Sequence, residues 1–318
     1  MVRINRVVVA TIFCLQAALS LLCTQPASAL EEIIASYAGP TVTFLPAEVA
    51  RQRGFMREQN LDIKFLLTRS EVDRAALASG NVDYTLRAGS SFVSAARGLP
   101  VKIVFLGTMR PFWGLVVRPE IKSVTELKGK SLGVPGLLGS QQISAKFILK
   151  HYGLDPDKDV IYHVVDTGTR IAGILSGSID SSMMDYGEAF RAKKAGLKFL
   201  INAADLHALL AGGLAVNTKK LKDQPDQVRR MLTAMTRALR YMQENPEGTQ
   251  QVMMSWLKLD REMAADIYHM AKNNYTKNGM VEESMLSSLV TTMLAEAGIK
   301  NVAPTQLVDF TLLQQVLK

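Results

Sequence analysis

Two stretches, ALASGNVDYTL at Ala76–Leu86 and GILSGSIDSSM at Gly173–Met183, share one frame at an offset of 97 residues. Leu77 matches Ile174, Ser79 matches Ser176, Gly80 matches Gly177, Val82 matches Ile179 and Asp83 matches Asp180. Working outward at the same offset, LDIKFLLTRS from Leu61 falls on KDVIYHVVDT from Lys158, and IIASYAGPTVTF from Ile33 falls on KSLGVPGLLGSQ from Lys130. Three matches in the same order point to an internal repeat. The chain is therefore expected to hold two similar lobes, about Ile33 to Val104 and Lys130 to Ile201.

Each lobe reads as alternating strands and helices. Leu61, Ile63 and Phe65 alternate with Asp62 and Lys64, the period of a half-buried strand. Ser70 with Asp73 resembles a capping box, Gly80 a helix stop, and NVDYTL the next strand. A helix from about Ser91 to Gly98 and a strand at VKIVF follow. In the second lobe Ser123 with Glu126 is again a capping box. SLGV, VIYHVV, SIDSSMM and LKFLI read as strands, with helices over Gln141–Tyr152, up to Ser176 and up to Ala195 between them. This alternation predicts an α/β fold with parallel or mixed sheets. From Pro225 onward the pattern is helical, with Met231, Met235, Ala238 and Met242 on one apolar stripe and Asn245-Pro246 opening a further helix. Such methionines are expected in a core, where their flexibility fills irregular gaps.

The N-terminus sets the compartment. Arg3 and Arg6 precede an uncharged apolar run from Val7 to Cys23, and Ala27-Ser28-Ala29 follows. The run is shorter than the ~20 residues of a spanning helix, so residues 1–29 read as a secretory signal peptide cleaved after Ala29, with a periplasmic product. Both cysteines, Cys14 and Cys23, leave with it, and Leu22 is too large for the residue before a lipidated cysteine. The mature chain then has no thiol for a disulfide, a metal or nucleophilic catalysis. The formal net charge of +8, two of it from Arg3 and Arg6, is spread along the chain. No clustered basic stripe with aromatic platforms marks a nucleic-acid partner.

The segments FLPAEVARQRGFMREQNLDIKFLL, LASGNVDYTL with ARGLPVKIVF, TELKGKSLGVPGLLGSQQISAKFILKHYGLDPDKDV and ILSGSIDSSMMDYGEAFRAKKAGLKFLI resemble the solute-binding proteins of ABC importers. The similarity is to the branch that binds sulfonates, taurine, nitrate and thiamine-pyrimidine precursors, and it extends through LDREMAADIY and LVDF. It implies a two-lobed type II periplasmic-binding-protein fold with two crossover hinge strands and C-terminal helices. On that pattern lobe one spans 30–117 and 212–318 and lobe two 118–211, with crossings near Val117–Glu120 and Ala211–Gly213. The implied partners are a small-molecule ligand and an ABC permease of the inner membrane. The protein is expected to be a monomer with no cofactor or metal.

In open α/β sheets ligands bind beyond the carboxyl ends of strands. That places Tyr37 to Phe44 and Arg87 to Ser91 of lobe one, and Gly136 to Gln141 and Asp185 to Glu188 of lobe two, around a cleft, with Thr167 a further candidate. Gly139, Ser140 and Gln141 open a helix whose unpaired N–H groups attract an anion. Ser90 and Ser91 repeat that argument in lobe one, and Arg87 can clamp a carboxylate or sulfonate. Each of these serines can equally be a plain helix cap. Asp185 and Glu188 repel an anion but suit an ammonium or another donor. Tyr37, Thr43, Phe44 and Tyr186 complete the candidate wall, while Trp113 reads as packing near the hinge.

Together these residues predict capture of a small organic anion, a sulfonate, carboxylate or zwitterion, without catalysis. Alternatives are a binder of a thiamine-pyrimidine-like heteroaromatic, a ligand sensor, or an enzyme on the same fold. GKS at Gly129–Ser131 imitates a phosphate loop, but Val124 stands where the first glycine is required. His151, His163, His207 and His269 lack metal-ligand spacing. A pyrimidine-forming enzyme of similar fold uses pyridoxal phosphate and carries a cysteine-rich signature that the mature chain lacks.

Overall fold

The computed structural model describes residues 29–137 and 139–318. The charged and apolar parts of the expected signal peptide lie outside them. Two five-stranded sheets carry the fold. The first contains β1 (Glu31–Tyr37), β2 (Leu61–Leu67), β3 (Tyr84–Thr85) and β4 (Val101–Leu106). The second contains β5 (Trp113–Val117), β6 (Lys130–Val134), β7 (Val160–Val164), β8 (Ser181–Asp185) and β9 (Lys198–Asn202), after which β10 (Gly213–Asn217) returns to the first. Their orders, β2-β1-β3-β10-β4 and β7-β6-β8-β5-β9, are the same plan used twice. In each sheet one antiparallel strand, β10 or β5, is inserted at the fourth place.

The repeat holds to the level of register. Ala35 pairs with Tyr84 and Ser36 with Thr85 in the first sheet; Leu132 pairs with Ser181 and Gly133 with Ser182 in the second. The shared Ser-Gly-x-hydrophobic-Asp motif explains why. Gly80 (φ 78°) and Gly177 (φ 79°) take the left-handed conformation that follows a helix end and that other residues adopt at a cost. The chain then reverses, and Val82 and Ile179 are buried. The aspartate next in line reaches back to the first strand of its lobe: Ile34 N donates to Asp83 Oδ2 at 2.7 Å, and Ser131 N to Asp180 Oδ2 at 2.9 Å. Lys220 pairs with Asp83 at 2.8 Å, and Arg118 pairs with Asp180. Burial works against the Asp180 charge, but the bonds from Ser131 and the nearby Arg118 and Lys130 hold its carboxyl below the usual value.

Helices α1 (Leu45–Gln52), α2 (Ser70–Ser79), α3 (Ala88–Ala96), α4 (Ser140–His151), α5 (Arg170–Leu175) and α6 (Tyr186–Lys194) cover the sheets. Two details differ from the expectation. Helix α3 begins at Ala88 rather than near Ser91, without a side-chain cap to mark its start, so both serines lie inside it. Arg69, not Ser70, is the N-cap of α2, and Asp73 is instead buried, accepting hydrogen bonds from Ser36 and Thr85.

The chain leaves the first sheet between Leu106 and Trp113, ahead of the expected Val117–Glu120. The reason is that apolar β5 is hydrogen-bonded between β8 and β9. It returns after Gly212, where the crossings run side by side. Thr108, fully buried, accepts both Ala211 N and Gly212 N on its hydroxyl at 3.1 and 2.9 Å, and Gly107 N donates to Gly212 O at 2.9 Å.

The long α7 (Pro225–Glu244) buries Met231, Met235, Ala238 and Met242 in one core with Ile33 and Ala35 of β1. Each fully buried methionine contributes about 1.5–3 kcal/mol of apolar transfer energy. Helices α8 (Pro246–Leu257), α9 (Arg261–Ala271), α10 (Glu283–Glu296) and α11 (Thr311–Val316) complete the chain.

Asp180→Asn retains the side-chain shape but removes the charge that Ser131 and Arg118 address. It should lower unfolding stability by about 1.5–3 kcal/mol in urea titration. The exposed Ser79→Ala should stay within about 0.5 kcal/mol of wild type. Equal stability of all three proteins would remove the structural role given to this aspartate.

Candidate ligand-binding site

The loops beyond the carboxyl ends of β1, β3, β6, β7 and β8 meet around one cleft between the two sheets. Its walls keep the repeat's symmetry: Ala38 faces the same space as its repeat mate Pro135, Thr43 as Ser140, and Phe44 as Gln141. The starts of α3 and α4 approach each other so closely that a Cβ on Gly89 would lie 2.4 Å from Ser140 Oγ and 2.5 Å from Leu210 O. Only glycine fits between the lobes there. Arg69 and Asp166, themselves 97 residues apart, form an ion pair at 2.8 Å. Both are solvent-exposed, so the pair is worth at most about 1 kcal/mol. The cleft offers about 80 Å³, enough for a small head group and far below the volume of a drug-sized pocket.

The polar groups are mostly donors. Helix α4 has Gly139 as its N-cap, with no side chain to occupy its first-turn N–H groups, and Ser140 and Gln141 follow on the cleft wall. Uncapped helix starts attract negative charge through these N–H groups and the helix dipole. Arg87 borders the cleft and donates to Thr68 O. Burial pushes its guanidinium below the ordinary value, with Asp73 and Glu71 acting in the opposite direction.

Arg170, which the sequence reading did not single out, is the hub of the second wall. It is 1% exposed. Its Nη1 donates to Gln141 Oε1 at 2.9 Å and to Met183 O at 2.5 Å; its Nη2 donates to Thr167 Oγ1 at 2.9 Å and Glu188 Oε2 at 2.5 Å. One guanidinium thus fixes the start of α4, the loop after β7, strand β8 and helix α6. A signal was present: Arg170 stands 97 residues after Asp73, the buried charge at the same position of the repeat in lobe one.

Of the expected residues, Thr43, Phe44, Arg87, Ser90, Gly139, Ser140, Gln141, Thr167 and Asp185 border the cleft. Four are placed elsewhere. Tyr37 packs edge-on to Phe44, against Phe65 and stacked with Trp256. Ser91 donates to Arg87 O at 2.9 Å, the back-bonding of a serine inside a helix. Tyr186 is fully buried and donates to Asn202 Oδ1 at 2.9 Å, because α6 begins at that residue and turns it inward. Glu188 lies behind the wall against Arg170. Burial, reinforced by the Asp185 carboxylate and opposed by Arg170, pushes Glu188 up to about 8. Asp185 is the N-cap of α6, accepting Glu188 N at 3.1 Å. Trp113, expected as packing, is 3% exposed and borders the cleft.

Comparison with known proteins places this geometry in a family. Residues 41–249 match the family model described as NMT1/THI5 like. A relative in Saccharomyces cerevisiae, named 4-amino-5-hydroxymethyl-2-methylpyrimidine phosphate synthase THI13, is 31% identical over 228 residues, covering 65% of this chain and 65% of the yeast protein. The match therefore spans less than two thirds of that relative's length. Among solved structures, the ligand-binding component of an ABC-type import system from Staphylococcus aureus superposes with a TM-score of 0.76 at 15% identity, over 90% of this chain and 99% of that one. The periplasmic aliphatic sulphonate binding protein SsuA from Escherichia coli gives 0.66 at 14%, over 88% and 92%. The fold is the two-lobed α/β periplasmic-binding-protein fold. With a family model covering well over half of its length, the chain belongs to the NMT1/THI5-like family.

Proposed function

We propose that the protein is the extracytoplasmic solute-binding component of an ABC importer, which captures a small organic anion between its lobes and presents the closed form to a permease. In this reading the first sheet with the C-terminal helices is lobe one and the second sheet is lobe two. Residues 1–29 are removed on export, and the mature protein acts as a monomer in the periplasm. The observation that carries the proposal is the convergence of a buried arginine, Arg170, and two helix starts on one small cleft built symmetrically from both lobes. A ligand touching both walls biases an open–closed equilibrium by its extra contacts in the closed state. The likeness to an import-system component and to a sulphonate binder supports the class of ligand.

A second reading has a specific support. The family match, the pyrimidine named for the yeast relative, and the aromatic faces of Phe44 and Trp113 fit an aminopyrimidine ligand. Binding is favoured over turnover because the titratable side chains bordering the cleft among the described residues are two arginines, Arg87 and Arg170, which stay charged, and Asp185, which is held as the N-cap of α6.

Native mass spectrometry of the exported protein, purified without denaturation, tests the function. A bound compound of low mass, released intact by acid, is expected. A released compound that changes chemically on incubation with fresh protein would establish an enzyme instead.

The charge behind the wall makes the affinity pH-dependent. Below about 8 Glu188 keeps its proton, and the Arg170 charge is not cancelled by it; Asp185 and Arg191 are the other charged groups facing this carboxyl. As pH rises through about 8, Glu188 ionises and anion affinity should fall about three- to tenfold, measured by calorimetry up to about pH 9. Glu188→Gln should bind without that alkaline fall. The same proton affects stability: the folded carboxyl holds it to about 8 and the unfolded one releases it near 4.5. This contribution is therefore full below 4.5 and is lost as pH rises toward 8. An alkaline fall in affinity that persists in Glu188→Gln would locate the titrating group elsewhere.

A further inference from the structure

A second concavity lies away from the cleft and shares no lining residue with it. It runs between α6, the start of β9 and the last turn of α9, and offers about 420 Å³. That is within the ~300–1,000 Å³ of small-molecule sites, a range the cleft does not reach. Ala189 on α6 and Leu197 ahead of β9 are buried there, and Phe190, Phe199 and Met270 are half-buried. The groove follows a seam between two cores. Ala189 and Leu197 belong to the small core with Val116 of β5, whereas Phe190 and Met270 pack against the core that holds Ile33 of β1.

The remaining lining residues are two lysines, Lys193 and Lys198, and no acidic residue lines the groove. A basic last turn on α6 offsets the negative end of the helix dipole, which accounts for Lys193. It does not account for Lys198, which lies beyond the helix on β9 and brings a second positive charge to the same groove. Neighbouring Lys194 is paired with Asp260 at 2.8 Å. Lys193, by contrast, has no ion pair or hydrogen bond among the described residues, and Lys198 donates to the neutral Lys122 carbonyl at 3.4 Å. Neither charge is cancelled.

We propose that this groove is a binding site for a single-chain amphiphile with an anionic head, of the class of a medium-chain carboxylate. The chain displaces water from Phe190, Leu197, Phe199 and Met270, each buried methylene adding apolar transfer energy, and the carboxylate pairs with the two ammonium groups. A small molecule suits the groove better than a protein segment, because 7 residues line it, against roughly 20–30 on each side of a stable protein interface. The site does not depend on the reading of the cleft.

Decanoate, hexanoate and decanol, each below its micelle concentration, are titrated into the exported protein with its methionine methyl groups ¹³C-labelled, the Met270 signal being assigned by Met270→Leu. Decanoate should shift the Met270 signal. It should bind about tenfold or more tighter than hexanoate, which has four fewer methylenes, and than decanol, which has the chain without the charge. Lys193→Gln with Lys198→Gln removes both charges at positions that are not buried. That double variant should weaken decanoate about tenfold and change decanol less than about twofold. An unmoved Met270 signal, equal affinity for decanoate and decanol, or undiminished decanoate affinity in the double variant would each overturn the proposal.

Discussion

One hydrogen bond, made twice, sets the geometry on which the site depends. Asp83 and Asp180 each reach from the turn before the third strand of a lobe to an N–H on its first strand. The bond locks those strands in one register, and thereby brings the loops at their carboxyl ends to a common height. A carboxylate accepting backbone N–H bonds gains more than a neutral acceptor would, and each is further tied to a cation, Lys220 or Arg118. The equivalence of the two aspartates is why the cleft is walled by repeat-related residues.

The lobes diverge in what they bury at the equivalent position of the repeat. Lobe one holds Asp73, satisfied by Ser36 and Thr85; lobe two holds Arg170, satisfied by Gln141, Thr167, Glu188 and the Met183 carbonyl. A buried charge costs several kcal/mol of desolvation and is tolerated when its hydrogen bonds are made. The Arg170 network makes four such bonds through Nη1 and Nη2, and only Nε is without a partner among the described residues. Removing Arg170 would strip Gln141, Thr167, Glu188 and the Met183 carbonyl of their common donor, so conservative changes around it separate binding from folding more cleanly.

Much of the fold was legible because its punctuation is local. Left-handed glycines, period-two strands and the Asp of the motif are each decided within a few residues, and the same text occurs twice. The methionine stripe from Met231 to Met242 was equally plain. What was hidden depended on distance. The start of α3 at Ala88 has no capping side chain, so Ser91 was read as a helix start when it lies inside the helix. Tyr186 was drawn to the wall because β8 was not seen to run as far as Asp185. Arg170, in TRIAGIL, reads as an ordinary helix arginine until Glu188, Gln141 and Thr167 are folded around it. The crossing at Leu106–Trp113 is invisible because an apolar strand carries no mark of the sheet it will join.

The central claim is that the two lobes close on a ligand about the paired crossings at Thr108 and Gly212. Both cysteines, Cys14 and Cys23, lie in the N-terminal segment proposed above to be removed on export, so in a chain starting at Leu30 Val72→Cys and Leu175→Cys, both exposed and on opposite sheets' helices, can carry a pair of spin labels. Distances are measured by pulsed electron resonance on protein bearing its co-purified ligand and on the same protein after unfolding, dialysis and refolding. The account predicts one short, narrow distance with ligand and a longer or broader distribution without it. Identical distributions in the two samples would contradict it.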